Sequence, residues 1–105
     1  MSQDLYRRAI AEWGVEAQFR QLQEECAELI VQINKLWRGK GSDNAIAEEM
    51  ADVEIMLEQA RLMVAGPVDE FKRIKLAKLK GMLDGLAWGR RQLVEKGGGP
   101  HDHAS

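Results

Sequence analysis

Two short acidic blocks hold the residues most able to do chemistry: "EECAEL" at positions 24–29 and "EEMADV" at 48–53. Each contains a carboxylate pair at i, i+3, Glu25 with Glu28 and Glu49 with Asp52. On a helix this spacing stacks both side chains on one face. Four carboxylates brought to one patch repel, raise one another's pKa values and work against folding. A hard divalent cation removes that conflict, because oxygen-only ligation suits Mg²⁺, Mn²⁺ or Ca²⁺. Mg²⁺ in particular retains waters and combines a few carboxylates with substrate phosphates, which points to phosphate-ester or phosphoanhydride chemistry. One such pair alone reads as an ordinary solvated helix face; two pairs in matching positions argue for a site. A di-iron carboxylate centre would want Glu-x-x-His on two helices, and no His precedes His101.

The elements that must position these residues are helical. The body is rich in Ala, Leu, Glu, Gln, Lys and Met, and sustained alternation of apolar and polar residues is absent. A short helix is expected over 3–13, broken near Gly14, and a long one over 15–37. After "RGKGSDN" a third runs from 44 to 64, capped by Ser42 or Asp43. Gly66 closes it, and Pro67 suits the first turn of a fourth helix. In that helix Gly81, Gly85 and Gly89, with Ala77, form either a smooth ridge for close approach of another helix or a point of fraying.

On a helical wheel Leu22, Cys26, Leu29, Ile30, Ile33, Leu36 and Trp37 make the apolar stripe of the second helix. Ile46, Met50, Val53, Leu57, Ala60 and Val64 make that of the third. Glu25 and Glu49 fall on the borders of these stripes, with Glu28 and Asp52 one turn on. Antiparallel packing through the stripes would bring all four together. The expected fold is therefore all-α, a four-helix-type bundle with a central antiparallel helix pair. Its apolar surface exceeds what a short helix pair buries, so a second subunit is expected to complete the core.

Length and composition bound the rest. The 105 residues make one domain, expected over 1–96, with a disordered tail at 97–105 whose His101 and His103 read as solvated. A formal charge of −2 gives no reason to expect nucleic acid or an anionic membrane as partner. The single Cys26 excludes an internal disulfide, reads as inert core and suits a reducing compartment. "MSQDLYRRAI" lacks an apolar leader segment and no long apolar run follows, so a cytoplasmic location is expected.

The acidic blocks, with "EWGVEAQ" upstream and lysines downstream, resemble the MazG-like nucleoside triphosphate pyrophosphohydrolases over about residues 12–80. Twenty residues separate Glu28 from Glu49, the separation expected between the family's E-E-x-x-E and E-x-x-D halves. The resemblance implies Mg²⁺-dependent hydrolysis between the α and β phosphates, yielding a nucleoside monophosphate and pyrophosphate. Mn²⁺ would substitute, and the chain would work as a homodimer or higher oligomer.

Carried over by position, Glu25, Glu28, Glu49 and Asp52 match the metal ligands. Glu24, or a ligating carboxylate such as Glu25, would orient the attacking water. Lys75 and Lys78 match basic residues that hold the triphosphate, or else form a solvated face with Lys72 and Arg73. Lys35 and Arg38 are weaker candidates for that role. Trp13 and Gln18 lie where a ring stacks on a base and an amide reads its edge, although Trp13 also reads as core or dimer contact. Asn44 reads as a helix cap or a pocket residue. The implied role is house-cleaning of the nucleotide pool. The alternatives are a phosphoribosyl-ATP pyrophosphohydrolase and a non-catalytic helical dimer acting as adaptor or regulator.

Overall fold

A computed structural model describes residues 2–95, and the tail from position 97, with His101 and His103, lies outside the described residues. Four helices follow in order: α1 Ser2–Trp13, α2 Val15–Trp37, α3 Asp43–Ala60 and α4 Val68–Glu95. Among the described residues there is no strand. One unit runs through Gly66 and contains α1 to α3; a second begins at Pro67 and contains α4.

A single residue separates α1 from α2. Gly14 has φ 90° and ψ 157°, a conformation open essentially to glycine alone. Its N–H donates to the Ile10 carbonyl at 2.8 Å, closing α1, and its carbonyl accepts from the Gln18 N–H at 3.1 Å, opening α2. The chain changes direction without leaving a hydrogen bond unmade. Tyr6 then ties α1 to α3 by donating its hydroxyl proton to Glu58 Oε2. That bond, with Glu58's negative charge beside it, raises the Tyr6 pKa above the usual phenol value.

α2 ends in a Schellman arrangement. Gly39, at φ 73°, donates to the Leu36 carbonyl, and Lys40 N–H reaches back to the Lys35 carbonyl at 2.9 Å. Two residues later Ser42 adopts extended backbone and its Oγ accepts from Ala45 N–H at 3.1 Å, so Ser42 caps α3. Asn44 therefore sits inside α3 rather than capping it.

Between these two devices the link folds back on α2. A Cβ added at Gly41 would lie 2.9 Å from Leu36 N and 3.1 Å from Leu36 Cα, both backbone atoms that cannot swing aside. Gly41→Ala is expected to destabilise the helix pair by about 1–3 kcal/mol, the usual cost of forced overpacking. Urea unfolding of the variant beside the wild type measures it, and an unchanged midpoint would contradict the close approach.

The link returns α3 antiparallel to α2. Contacts march down one helix as they climb the other: Leu36 faces Gly41, the Glu28 charge acts on Glu49, the Asp52 charge acts on Glu25, and Gln18 meets Gln59. The seam between the helices is made by Gln18, Leu22, Glu25, Leu29 and Gln32 from α2. From α3 it takes Ile46, Glu49, Val53, Met56, Gln59 and Ala60. These positions follow the 3–4 spacing of packed helices.

This seam departs from the expected stripes. Met50 and Leu57 of α3 are exposed, and so are Ile30 and Trp37 of α2, at 59% and 79% of their free surface. Met56, absent from the expected stripe, is buried. The wheel selects the sector richest in apolar residues, and here that sector includes side chains α2 and α3 do not cover for each other.

Two boundaries also differ. α3 ends at Ala60, after which Leu62 N–H and Met63 N–H donate to the Gln59 and Ala60 carbonyls in tighter turns. Pro67 stands just before α4, its carbonyl accepting from Phe71 N–H at 3.1 Å. α4 itself runs unbroken through Gly81, Gly85 and Gly89 to Glu95, so it does not fray there.

Candidate metal centre

The α2–α3 seam places Glu25 and Glu49 where packing would otherwise select apolar side chains. Both are half-buried, each with one oxygen, Oε2, cut off from solvent and left without a hydrogen-bond partner. Asp52, exposed beside them one turn along α3, completes a trio. One carboxylate oxygen from each of Glu25, Glu49 and Asp52 lies within 4.8 Å of the others. Glu28 is exposed on α2 and lies outside this trio, but its charge acts on both glutamates of the seam.

The electrostatics follow from that placement. Removal from water raises the Glu25 pKa above the ordinary carboxylate value, and the neighbouring charges of Glu28 and Asp52 raise it further. Gln21 opposes this rise, its Nε2 donating to Glu25 Oε1 at 2.7 Å. Glu49 is raised first by desolvation, then by the charge and close oxygen of Glu28, then by Asp52 and Glu25. Buried oxygens without partners are costly, and anionic ones more so.

A cation bound by oxygens would satisfy these atoms, and the donor set, carboxylate oxygens alone, fits a hard divalent ion. The trio with Glu28 could hold it. Among the described residues neither sulfur nor imidazole joins the cluster: Cys26, half-buried on α2, is not part of it.

Beside the carboxylates opens a cleft of about 510 Å³ lined by Ala9, Trp13, Ala17, Gln18, Gln21, Met56 and Gln59. That size lies within the roughly 300–1,000 Å³ typical of small-molecule sites. Trp13, 64% exposed at the end of α1, and Gln18, only 6% exposed, both line it. Gln21 belongs to both regions, lining the cleft and holding Glu25. Gln59 went unremarked in the sequence, since a glutamine at a helix's end carries no pattern that marks it as buried.

Of the other candidates, Glu24 is exposed on α2 next to Glu25 and does not join the trio. Lys35 is half-buried and Arg38 exposed at the far end of α2. Lys75 and Lys78 are exposed on α4 in the second unit. On the same helix Arg73 pairs with Glu70 at 2.5 Å and Lys80 with Asp84 at 2.6 Å, as on a solvated helix face. No family model, curated protein sequence or solved structure matches the chain. Among the described residues no helix is long and apolar enough to cross a membrane.

Gln21 offers a local test. Gln21→Leu removes the one hydrogen bond that favours ionised Glu25 and leaves the helix intact. Divalent-ion affinity is expected to fall by roughly 10–100-fold, the usual loss when a ligand's supporting hydrogen bond is deleted. Titration calorimetry with Mn²⁺ measures it, and wild-type affinity in the variant would show that Gln21 does not support the site.

Proposed function

We propose that the chain is an Mg²⁺-dependent nucleoside triphosphate pyrophosphohydrolase, acting between the α and β phosphates as its MazG-like motifs suggest. The observation that carries this reading is the pair of unpartnered, buried oxygens of Glu25 and Glu49, converging with Asp52. A protein has no packing reason to hold such groups together, and an oxygen-binding cation gives one. The adjoining cleft supplies room for a nucleoside.

In this reading Glu25, Glu28, Glu49 and Asp52 hold the ion. When bound, it supplies charge neutralisation at the phosphate oxygens and acidification of water. The water oxygen bonds to the α-phosphorus, the bond from that phosphorus to the bridging oxygen breaks, and pyrophosphate leaves. Glu25, from within the ligand set, or the adjacent Glu24, which lies outside the converging trio, accepts the water's proton. Trp13 and Gln18 hold the base. No side chain need form a covalent intermediate.

The same reading makes the chain a homodimer or higher oligomer, its four helices completed as a bundle by a second copy. Exposed Ile30 and Trp37 on α2 support this, and on α4, taken by itself, so do exposed Phe71, Leu79, Leu86 and Trp88, because exposed apolar surface marks association. Nucleotide-pool house-cleaning in the cytoplasm is the role that fits.

Product analysis against canonical and modified nucleoside triphosphates, with Mg²⁺ and with EDTA, tests the activity. Metal-dependent monophosphate plus pyrophosphate is expected. Diphosphate plus orthophosphate would refute the cleavage position. No turnover of any triphosphate would turn attention to phosphoribosyl-ATP and then to a non-catalytic dimer.

A further inference from the structure

The most unusual packing outside the carboxylates is an amide pair. Gln18 and Gln59 are 6% and 3% exposed, more buried than Met56 beside them, at seam positions where an apolar side chain would be simpler. Gln59 Nε2 donates to Gln18 Oε1. That bond uses one N–H and one carbonyl oxygen, leaving the Gln18 amide N–H groups and the Gln59 carbonyl oxygen for other partners. Among the described residues no second side-chain hydrogen bond takes them up. Nor are these atoms sealed from solvent in the manner of Glu25 Oε2 and Glu49 Oε2. Both side chains line the cleft, and Trp13 forms another part of its wall.

We propose that Gln59, held by Gln18, is the specificity-determining residue of this cleft, and that the pair reads the edge of a planar nitrogen heterocycle. The inference rests on the nucleotide reading and adds to it the device that recognises the base. On either side of that bond the pair keeps a donor, Gln18 Nε2–H, and an acceptor, Gln59 Oε1. Its complement is a ring that carries both an acceptor and a donor on its edge, as a nucleobase does. Trp13 supplies an aromatic face for the ring, by offset stacking. From Gln18 to Glu25 is two helical turns, about 10 Å along α2, with Gln21 between them in contact with both regions. A base at the amide pair therefore directs its phosphates toward the carboxylates.

A buried polar pair can also serve only to fix helix register. That role needs neither an open cleft nor an aromatic wall, and it affects stability without affecting which base is preferred. Selectivity separates the two, because a site built to hydrogen-bond a ligand discriminates by that bond.

The experiment uses the full chain, its Gln59→Met variant and Trp13→Ala, a change at an exposed position that leaves the helix seam untouched. Two readouts are taken: kcat/KM over a base panel with Mg²⁺, and NMR shifts of the glutamine side-chain amides on titration with nucleoside monophosphates in EDTA. In the wild type the Gln18 and Gln59 amide signals are expected to move with nucleotides and not with ribose 5-phosphate. In folded Gln59→Met the preferred base is expected to lose on the order of a hundredfold in kcat/KM, chiefly through KM, with the panel compressed toward equality. Trp13→Ala is expected to weaken binding of all bases together.

An unchanged base ranking in Gln59→Met, or amide signals that ribose 5-phosphate moves equally well, would overturn the proposal. If Gln59→Met does not fold, amide shifts in the wild type and weakened nucleotide binding by Trp13→Ala decide the matter. Nucleotide-specific amide shifts without turnover of any triphosphate would retain the base pocket and remove the hydrolase.

Discussion

Replacing Glu49 with Gln is expected to remove most triphosphate hydrolysis while leaving the helix pair folded. Glu49 lies in the α2–α3 seam with its Oε2 buried and unpartnered, facing Glu28, Glu25 and Asp52. Gln is nearly the same shape, so no cavity opens and the neighbouring Val53 and Met56 keep their packing. What changes is charge: one anionic ligand disappears, and an amide that can donate to a neighbouring carboxylate takes its place. Activity is expected to fall on the order of a hundredfold to a thousandfold, the loss seen when one preorganised electrostatic element is removed. The metal-free variant is expected to melt no lower than the wild type, because a repulsion has been relieved. Thermal melting and initial rates on one preparation check both halves. A variant that fails to fold would mark Glu49 as structural, and one that retains full activity would remove it from the metal centre.

The fold was legible in the sequence wherever a local rule decides. α2 occupies the expected 15–37, because Gly14 permits a backbone turn that other residues resist and Gly39 supplies the αL stop. Ser42 was one of two capping candidates, and its extended backbone leaves its Oγ to accept from Ala45. Less legible was where α3 stops. Arg61 retains helical dihedrals and the chain tightens gradually over Leu62 and Met63, so no single residue marks the end. The three glycines of α4 were ambiguous because propensity, about 1 kcal/mol each, does not settle the path of a helix 28 residues long.

The candidate site was legible as composition and spacing, less so as depth. Periodicity puts Glu25 and Glu49 at the edge of apolar stripes, whereas both lie in the seam itself. The error has one source: Ile30, Ile33, Met50 and Leu57 are apolar but lie on surfaces that α2 and α3 leave open. Counted as core, they rotate the inferred stripe away from the carboxylates. Two apolar surfaces on one helix look on a wheel like one wide face, and only packing tells them apart. Gln59 illustrates the opposite limit. Its burial depends on Gln18, 41 positions away, and nothing near it in the chain announces that contact.

The seam also makes stability depend on pH and metal in opposing directions. Glu25 and Glu49 have pKa values above their unfolded value of 4.5, chiefly through desolvation and then through neighbouring negative charge. The folded state therefore binds their protons more tightly than the unfolded chain does. These two groups favour folding fully below pH 4.5, and that contribution is lost as pH rises through the folded pKa values. In EDTA the melting temperature is thus expected to rise, through their effect, as pH is lowered from 7 toward 5. Below about 4.5 they add nothing more. Divalent cations reverse the trend, since the ion binds the ionised form and competes with the same protons. At neutral pH a hundredfold excess of Mg²⁺ over its Kd is expected to stabilise the fold by about 2.7 kcal/mol. For a domain of this size that is a shift on the order of 10 °C. The gap between the Mg²⁺ and EDTA melting curves should narrow steadily with acidification and should be much reduced in Glu49→Gln. Coincident curves at every pH would mean that the converging carboxylates bind no ion, and the case for phosphoanhydride chemistry at this seam would fall with them.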